Sequence, residues 1–250
     1  MLNYDPRTAA RYESCRAVAR DDMFASSIES AVREMLPPLL KNAPWKLHSQ
    51  ARTIEIETKI DIQDVADARS VLLRVSELEL LSWNSRREIH ELYPTEEGGS
   101  LCRITFLEGE DVWIKEKRRS KILTTPGHMP FIVREGFKFK PCDVDFGSSL
   151  KRIRELECLS IFSKRCINVF FRHLDSIFSL SYSLASDGDK FHHYQMEFEH
   201  EDAEASCPLP IHAVLQRFDH LFHSTFYDLI PRLNAVSKLE RLASAHNANA

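Results

Sequence analysis

The sequence predicts an α+β protein: an antiparallel β-sheet closed into a barrel, flanked by amphipathic α-helices near both ends of the chain. Three observations lead there. Residues 21–36 and 211–230 repeat apolar side chains at helical spacing, and the stretch between them alternates apolar and polar residues in strand-length runs. Two strand-like segments far apart, "TIEIETKI" and "YQMEFEHE", also place carboxylates at every second position. Successive strand side chains point to opposite faces, so Glu55, Glu57 and Lys59 share one side while Ile54, Ile56 and Ile60 take the other.

The first helix, 21–36, carries Ile28, Val32 and Met35 on one stripe and stops at Pro37 and Pro38. "DVADARSVLL" has helical features, and the rest of 61–100 has no clear period. "LCRITFLEGEDVWIKEKRRSKIL" alternates on both sides of a turn at Glu108-Gly109, as a hairpin does. "SLKRIRELECL", "IFSKRCINVFF", "IFSLSYSLASDG" and "YQMEFEHE" read as further strands. After Pro208 and Pro210, the helix 211–230 offers Val214, Phe218, Leu221 and Phe222 as an apolar stripe, with Pro231 ending or kinking it. There is no internal repeat and no long linker, so residues 1–250 are read as a single domain with its core at 52–201.

Hydrophobic residues at 43% give enough material for one sizeable core. A net charge of −4 argues against a broad nucleic-acid coat but leaves room for a local basic channel. No run approaches the roughly 18 apolar residues of a membrane span and the start lacks a secretory layout, so a soluble, intracellular protein without membrane association is expected. The six cysteines show no CxxC pair or zinc-finger spacing and are expected to be reduced. No phosphate loop, GxGxxG or GxSxG is present. "CINVFFR" places Cys166 and Arg172 at the CxxxxxR spacing of cysteine phosphatases, yet its β-branched and aromatic residues favour a strand over a phosphate-wrapping loop.

The charges carry the functional reading. Neighbouring same-face carboxylates sit roughly 6–7 Å apart on a strand and repel by about 2–3 kcal/mol at an effective dielectric near 20. Water would screen this; enclosure calls for cations. Glu197, Glu199 and Glu201 repeat the pattern of Glu55 and Glu57, while intervening strands are rich in Arg103, Lys115, Lys117, Lys151 and Arg165. A polyphosphate with a divalent metal satisfies both signs: carboxylates suit the hard ions Mg2+ and Mn2+, and lysine and arginine neutralise phosphoryl oxygens. Closing the sheet brings the first and last acidic strands together opposite the bases, with a polar lumen and helices over an apolar exterior.

These segments, taken in order, resemble the triphosphate tunnel metalloenzymes, and among them the fungal and protozoan RNA 5'-triphosphatases of mRNA capping. "IEIETK" is similar to the family's first acidic strand and "YQMEFE" to its last; "CRIT", "WIKEKRRSKIL", "LKRIRELE", "SKRCIN" and "FSLSYSL" follow the family's order between them. The resemblance implies an eight-stranded tunnel, with Glu55, Glu57, Glu197 and Glu199 as metal ligands. It implies Arg103, Lys117, Lys151 and Arg165 as phosphate-binding bases and Glu157 as the acid orienting the attacking water, with Lys115, Arg119 and Lys164 as further substrate contacts. Removal of the γ-phosphate from triphosphate-ended RNA with Mg2+ or Mn2+ is the implied reaction, with nucleoside triphosphates as additional substrates. A nuclear location, a capping guanylyltransferase partner and a monomer or homodimer are implied as well. Other tunnel activities, on tripolyphosphate or thiamine triphosphate or as a nucleotide cyclase, and a non-catalytic barrel scaffold are the alternatives. Three departures stand out: Lys164 and Arg165 are adjacent and cannot both face inward without a bulge, Ser179 and Ser181 stand where an acid is common, and Gln195 replaces a frequent glutamate.

Overall fold

The computed structural model describes residues 6–21, 23–38, 52–95, 99–109, 111–187, 192–201 and 209–236. Its strands are β1 (Arg52–Asp61), β2 (Glu79–Pro94), β3 (Ser100–Phe106), β4 (Val112–Lys117), β5 (Lys121–Thr124), β6 (Pro130–Phe139), β7 (Ser160–His173), β8 (Ser176–Ser186) and β9 (His192–Glu201). They run in the order β1-β9-β8-β7-β2-β3-β4-β6, and antiparallel pairing of β1 with β6 closes the ring. Eight strands thus form a closed antiparallel barrel, and β5 is one extra strand held by β6. Closure satisfies every ring strand on both sides without an open edge.

The helices are α1 (Pro6–Asp21), α2 (Met23–Met35), α3 (Val65–Ser76), α4 (Phe146–Arg154) and α5 (Ile211–Thr225). The largest hydrophobic cluster lies outside the ring. Ile56 and Ile60 of β1, Phe131 of β6, Phe171 of β7, Phe178 of β8 and Phe198 of β9 meet Ile28 and Val32 of α2, Val71 and Val75 of α3, and Phe218 and Phe222 of α5. Each such aromatic or branched side chain, fully buried, contributes about 1.5–3 kcal/mol. This is why the strands alternate: one set of positions supplies the dry layer beneath the helices, and the other is left for a polar lumen. At the far end of the β2–β3 turn a Cβ on Gly99 would lie 2.5 Å from the Lys117 carbonyl, so glycine lets that turn close against the end of β4.

Three segments differ from expectation, and a fourth, 61–100, is helical where its sequence has helical features and is otherwise filled in by a strand. The helix expected at 21–36 is α2 alone, preceded by α1, which has no apolar stripe to announce it and, among its described side chains, buries only Cys15 completely. "SLKRIRELECL" is not a strand: Asp145 precedes the helix α4, whose Ile153 is buried with Leu150 packed beside it, an i, i+3 pair on one helical face. The helix at 211–230 ends at Thr225 and continues as a 3-10 turn, Tyr227–Arg232, that contains Pro231, which has no N–H to continue an α-helix. Finally, 61–100 holds α3, capped by the Asp64 carboxylate accepting from Asp67 N at 2.8 Å, and the 16-residue strand β2. Cys166 and Arg172 both lie in β7, whose extended backbone cannot wrap a phosphate. The five described cysteines are free thiols, and Cys207 lies outside the described residues. Among the described residues no helix is long and apolar enough to cross a membrane.

Candidate active site

The barrel encloses a chamber of about 320 Å³. Strand register decides what enters it. In β1 and β9, Glu57 stands opposite Glu199 and Lys59 opposite Glu197. In β4 and β6, Lys115 stands opposite Lys138. The chamber is lined by Glu57, Lys59, Glu197, Glu199 and Glu201 on the β1–β9 side, and by Lys115, Lys117, Arg134 and Lys138 on the β4–β6 side. Lys164 of β7 and Arg86, Glu88 and His90 of β2 complete the charged wall, with Asn168, Ser179 and Ser181 beside them.

These charges are paired. Arg134 donates from Nε to Glu55 Oε2 at 2.7 Å and from Nη2 to Glu57 Oε1 at 2.8 Å. Lys59 Nζ lies 2.9 Å from Glu197 Oε1 and 3.1 Å from Glu57 Oε1. Lys115 pairs with Glu55, Lys117 approaches it at 3.5 Å, and Lys164 Nζ stands 3.8 Å from Glu197 Oε2. Burial alone would raise the Glu57 carboxyl, but Arg134 and then Lys59 overcome it and hold it down at about 2. Burial likewise opposes ionisation of Glu55, which Lys115, Lys117 and Arg134 hold well below the carboxylate range. Lys117 goes the other way, lowered to about 7 by burial and by the Arg134 guanidinium. Lys138 is lowered by Lys115 first and burial second.

Glu199 is the exception among the carboxylates. Among the described residues it makes neither an ion pair nor a side-chain hydrogen bond, and burial, then Glu201 and Glu55, push it up to about 8. A half-buried carboxyl near Glu201 and Glu55 and directly opposite Glu57 has the donor chemistry that a hard cation takes. The donor chemistry of Glu57, Glu197 and Glu199 fits Mg2+ or Mn2+. Among the described residues no three ligating side chains already converge on one point, because Lys59 and Arg134 lie against these glutamates. Glu55 shares the inward face of β1 with Glu57, and its oxygens are taken up by the lumen bases Lys115, Lys117 and Arg134.

Several expected site residues lie elsewhere. Arg103 points out of the lumen and donates to the buried Glu91, whose other oxygen accepts from Tyr93 Oη at 2.8 Å. The inward positions of β3 are Ser100, Cys102, Ile104 and Phe106, so the strand alternates as expected but with its opposite face in the chamber. Of the adjacent pair in β7, Lys164 faces the lumen. Arg165 is on the outer face, donating to Ser26 Oγ and Glu29 Oε2 of α2 at 3.0 Å each. Lys151 is exposed on α4, and Glu157 is exposed just after it, both displaced because that segment is helical. Arg119 is exposed beyond the end of β4.

The sequence reading passed over Arg134 and Lys138, four apart in "REGFK", and Glu88 and His90, two apart in "REIH", although both spacings put a pair on one strand face. His90 Nε2 lies 2.7 Å from Glu88 Oε2 and its Nδ1 3.3 Å from Cys102 Sγ. The Glu88 carboxyl, opposed by burial, is held down at about 2 by His90.

No family model and no curated protein matches the chain. Among solved structures, a Vibrio parahaemolyticus chain described as an adenylate cyclase candidate is similar at a TM-score of 0.50 and 14% identity, over 76% of this chain and 98% of that one. A Hippeastrum adenylyl cyclase candidate, described as revealing a dominant triphosphatase activity, gives 0.48 and 16% over 77% and 95%. The triphosphatase of the mimivirus capping enzyme gives 0.46 and 10% over 89% and 98%. At these identities the likeness is one of fold alone, the closed antiparallel barrel described above.

Proposed function

We propose that this chain is a divalent-metal-dependent triphosphatase that removes the γ-phosphate from the 5'-triphosphate end of RNA. The observation that carries the reading is the enclosed lumen in which Glu57, Glu197 and Glu199 face Lys115, Lys117, Arg134 and Lys138. An internal set of opposite charges in contact with one another suits a polyanion that arrives with a cation. Glu57 and Glu197 would give up Lys59 and Arg134 for the metal, Glu199 has no ion pair among the described residues to give up, and the bases would meet phosphoryl oxygens in place of carboxylates. Glu57, Glu197 and Glu199 would hold Mg2+ or Mn2+, whose chemistry when bound is that of a Lewis acid on a phosphoryl oxygen.

The protein's own groups do the rest. Arg134, fixed by Glu55 and Glu57, presents a rigid guanidinium to the phosphate chain. Lys115 and Lys164, both charged, stabilise negative charge developing on the leaving pyrophosphoryl group. The low exposure of Glu57, Lys59 and Arg134 strengthens their electrostatic interactions. Nucleoside triphosphates fit the same grip on phosphates. The resemblance of the ordered strand motifs supports a place in cap formation, in the nucleus, with the diphosphate end passing to a capping guanylyltransferase.

The test is release of labelled γ-phosphate from triphosphate-ended RNA with Mg2+, with Mn2+ and with chelator, compared with ATP and tripolyphosphate. Glu57→Gln and Glu197→Gln are expected to lower metal-dependent turnover by about 10²–10³-fold, the scale for losing a charge-stabilising group. Unchanged turnover in both variants would sink the site assignment.

A further inference from the structure

Lys115, Lys117, Arg134 and Lys138 line the chamber along β4 and β6, and the part beside the β3–β4 hairpin has a different character. Phe106, the last residue of β3, and Trp113, the second of β4, both line it, with ring centroids 4.8 Å apart at 65°. Trp113 belongs to none of the hydrophobic clusters of the fold and is partly exposed, whereas Trp83 is buried in the main cluster. Both rings carry cations on their faces: Lys140 Nζ lies 5.1 Å from the Trp113 centroid, and Arg86 Cζ lies 6.0 Å from that of Phe106. Cations over partly exposed rings are weakly held and readily exchanged.

The spacing along the strand is informative. Trp113 and Lys115 are two residues apart on the same face of β4, about 7 Å, comparable with the reach of a nucleoside from its base to its 5' phosphate. Lys115 in turn faces Lys138 across the β4–β6 register. A triphosphate gripped by these lysines therefore leaves its nucleoside beside Trp113 if it enters from the hairpin end. Arg86 and Lys140, released from the ring faces, would then meet the following phosphodiester.

We propose that Phe106 and Trp113 form a stacking platform for the 5'-terminal nucleobase, and that the nucleoside end of the substrate lies at the β3–β4 hairpin end of the tunnel. This rests on the triphosphatase reading above. It makes the chain selective for nucleotide-bearing triphosphates over inorganic tripolyphosphate, with little preference among bases, because every base has a π-face.

The experiment compares kcat/KM on triphosphate-ended RNA and on tripolyphosphate for wild type, Trp113→Leu and Trp113→Phe, with folding checked by thermal melting. The ratio of RNA to tripolyphosphate efficiency is expected to fall about 5- to 150-fold in Trp113→Leu, the range for one base stacked on an aromatic ring, and to be largely restored in Trp113→Phe. A ratio equal to that of wild type in Trp113→Leu overturns the platform and leaves the triphosphatase standing. If the wild type hydrolyses neither substrate, the triphosphatase reading falls on its own. Tryptophan emission then decides the platform: quenching by a triphosphate-ended oligonucleotide in wild type that disappears in Trp113→Leu sustains it, and no quenching in wild type rejects it.

Discussion

Glu199 offers a test in which metal-free stability and stabilisation by metal move in opposite directions. Its carboxyl is pushed up to about 8 by burial and by Glu201 and Glu55, from an ordinary value of 4.5. Between those values the unfolded chain has lost this proton while the folded chain keeps it, so the fold loses stability as pH rises from 4.5 to about 8. Each pH unit is worth about 1.4 kcal/mol, giving a penalty on the order of 3 kcal/mol at pH 7. Glutamine keeps the shape of the protonated acid and removes the ionisation. Glu199→Gln is therefore expected to melt about 6–12 °C higher than wild type at pH 7 in chelator, with the difference vanishing toward pH 4.5. Differential scanning fluorimetry across that range reads both numbers. Divalent metal should then raise the wild-type midpoint and leave the variant nearly unmoved, since a ligand that binds only the folded state stabilises it. A variant that melts at or below wild type in chelator at pH 7 would refute the argument.

The outward residues make the contrasting predictions. Arg165 is 3% exposed and ties α2 to the barrel, so Arg165→Ala should cost about 3 kcal/mol, as breaking a buried pair does. Below its melting range, kcat/KM should stay within about two-fold of wild type; a large rate loss without a stability loss would return Arg165 to the site. Lys151→Ala and Glu157→Ala, both at exposed positions, should change stability by about 0.5 kcal/mol or less and leave γ-phosphate release intact. A steep loss of rate in Glu157→Ala would restore a water-orienting role to it.

The acidic strands were legible because a period of two is unambiguous when one face is mostly isoleucine, methionine or phenylalanine and the other mostly charge. The same alternation placed Lys115 and Lys117 together. It failed where both faces of a strand are mixed: in β3 the polar Arg103 went to Glu91 outside, and Cys102 and Ile104 went inside. Alternation fixes which residues share a face, but the choice of face depends on the neighbouring strand. In β2, Arg86, Glu88 and His90 sit among charges on both sides, so no apolar face marked the strand. The α4 segment was misread because nine residues with basic side chains at mixed spacing fit either period, and only the burial of Ile153 beside Leu150 decides for the helix. Arg165 could not be separated from Lys164 until α2, with Ser26 and Glu29, was seen to lie against the outer wall.

Because the water-free layer sits beneath the helices and not within the ring, each strand serves two nearly independent masters. Folding is settled on the outer side, where Phe171, Phe178 and Phe198 meet α5 and its neighbours. The inner side is thereby free to be rewritten for another anion or another cation, residue by residue, without re-solving how the chain comes to be a cylinder.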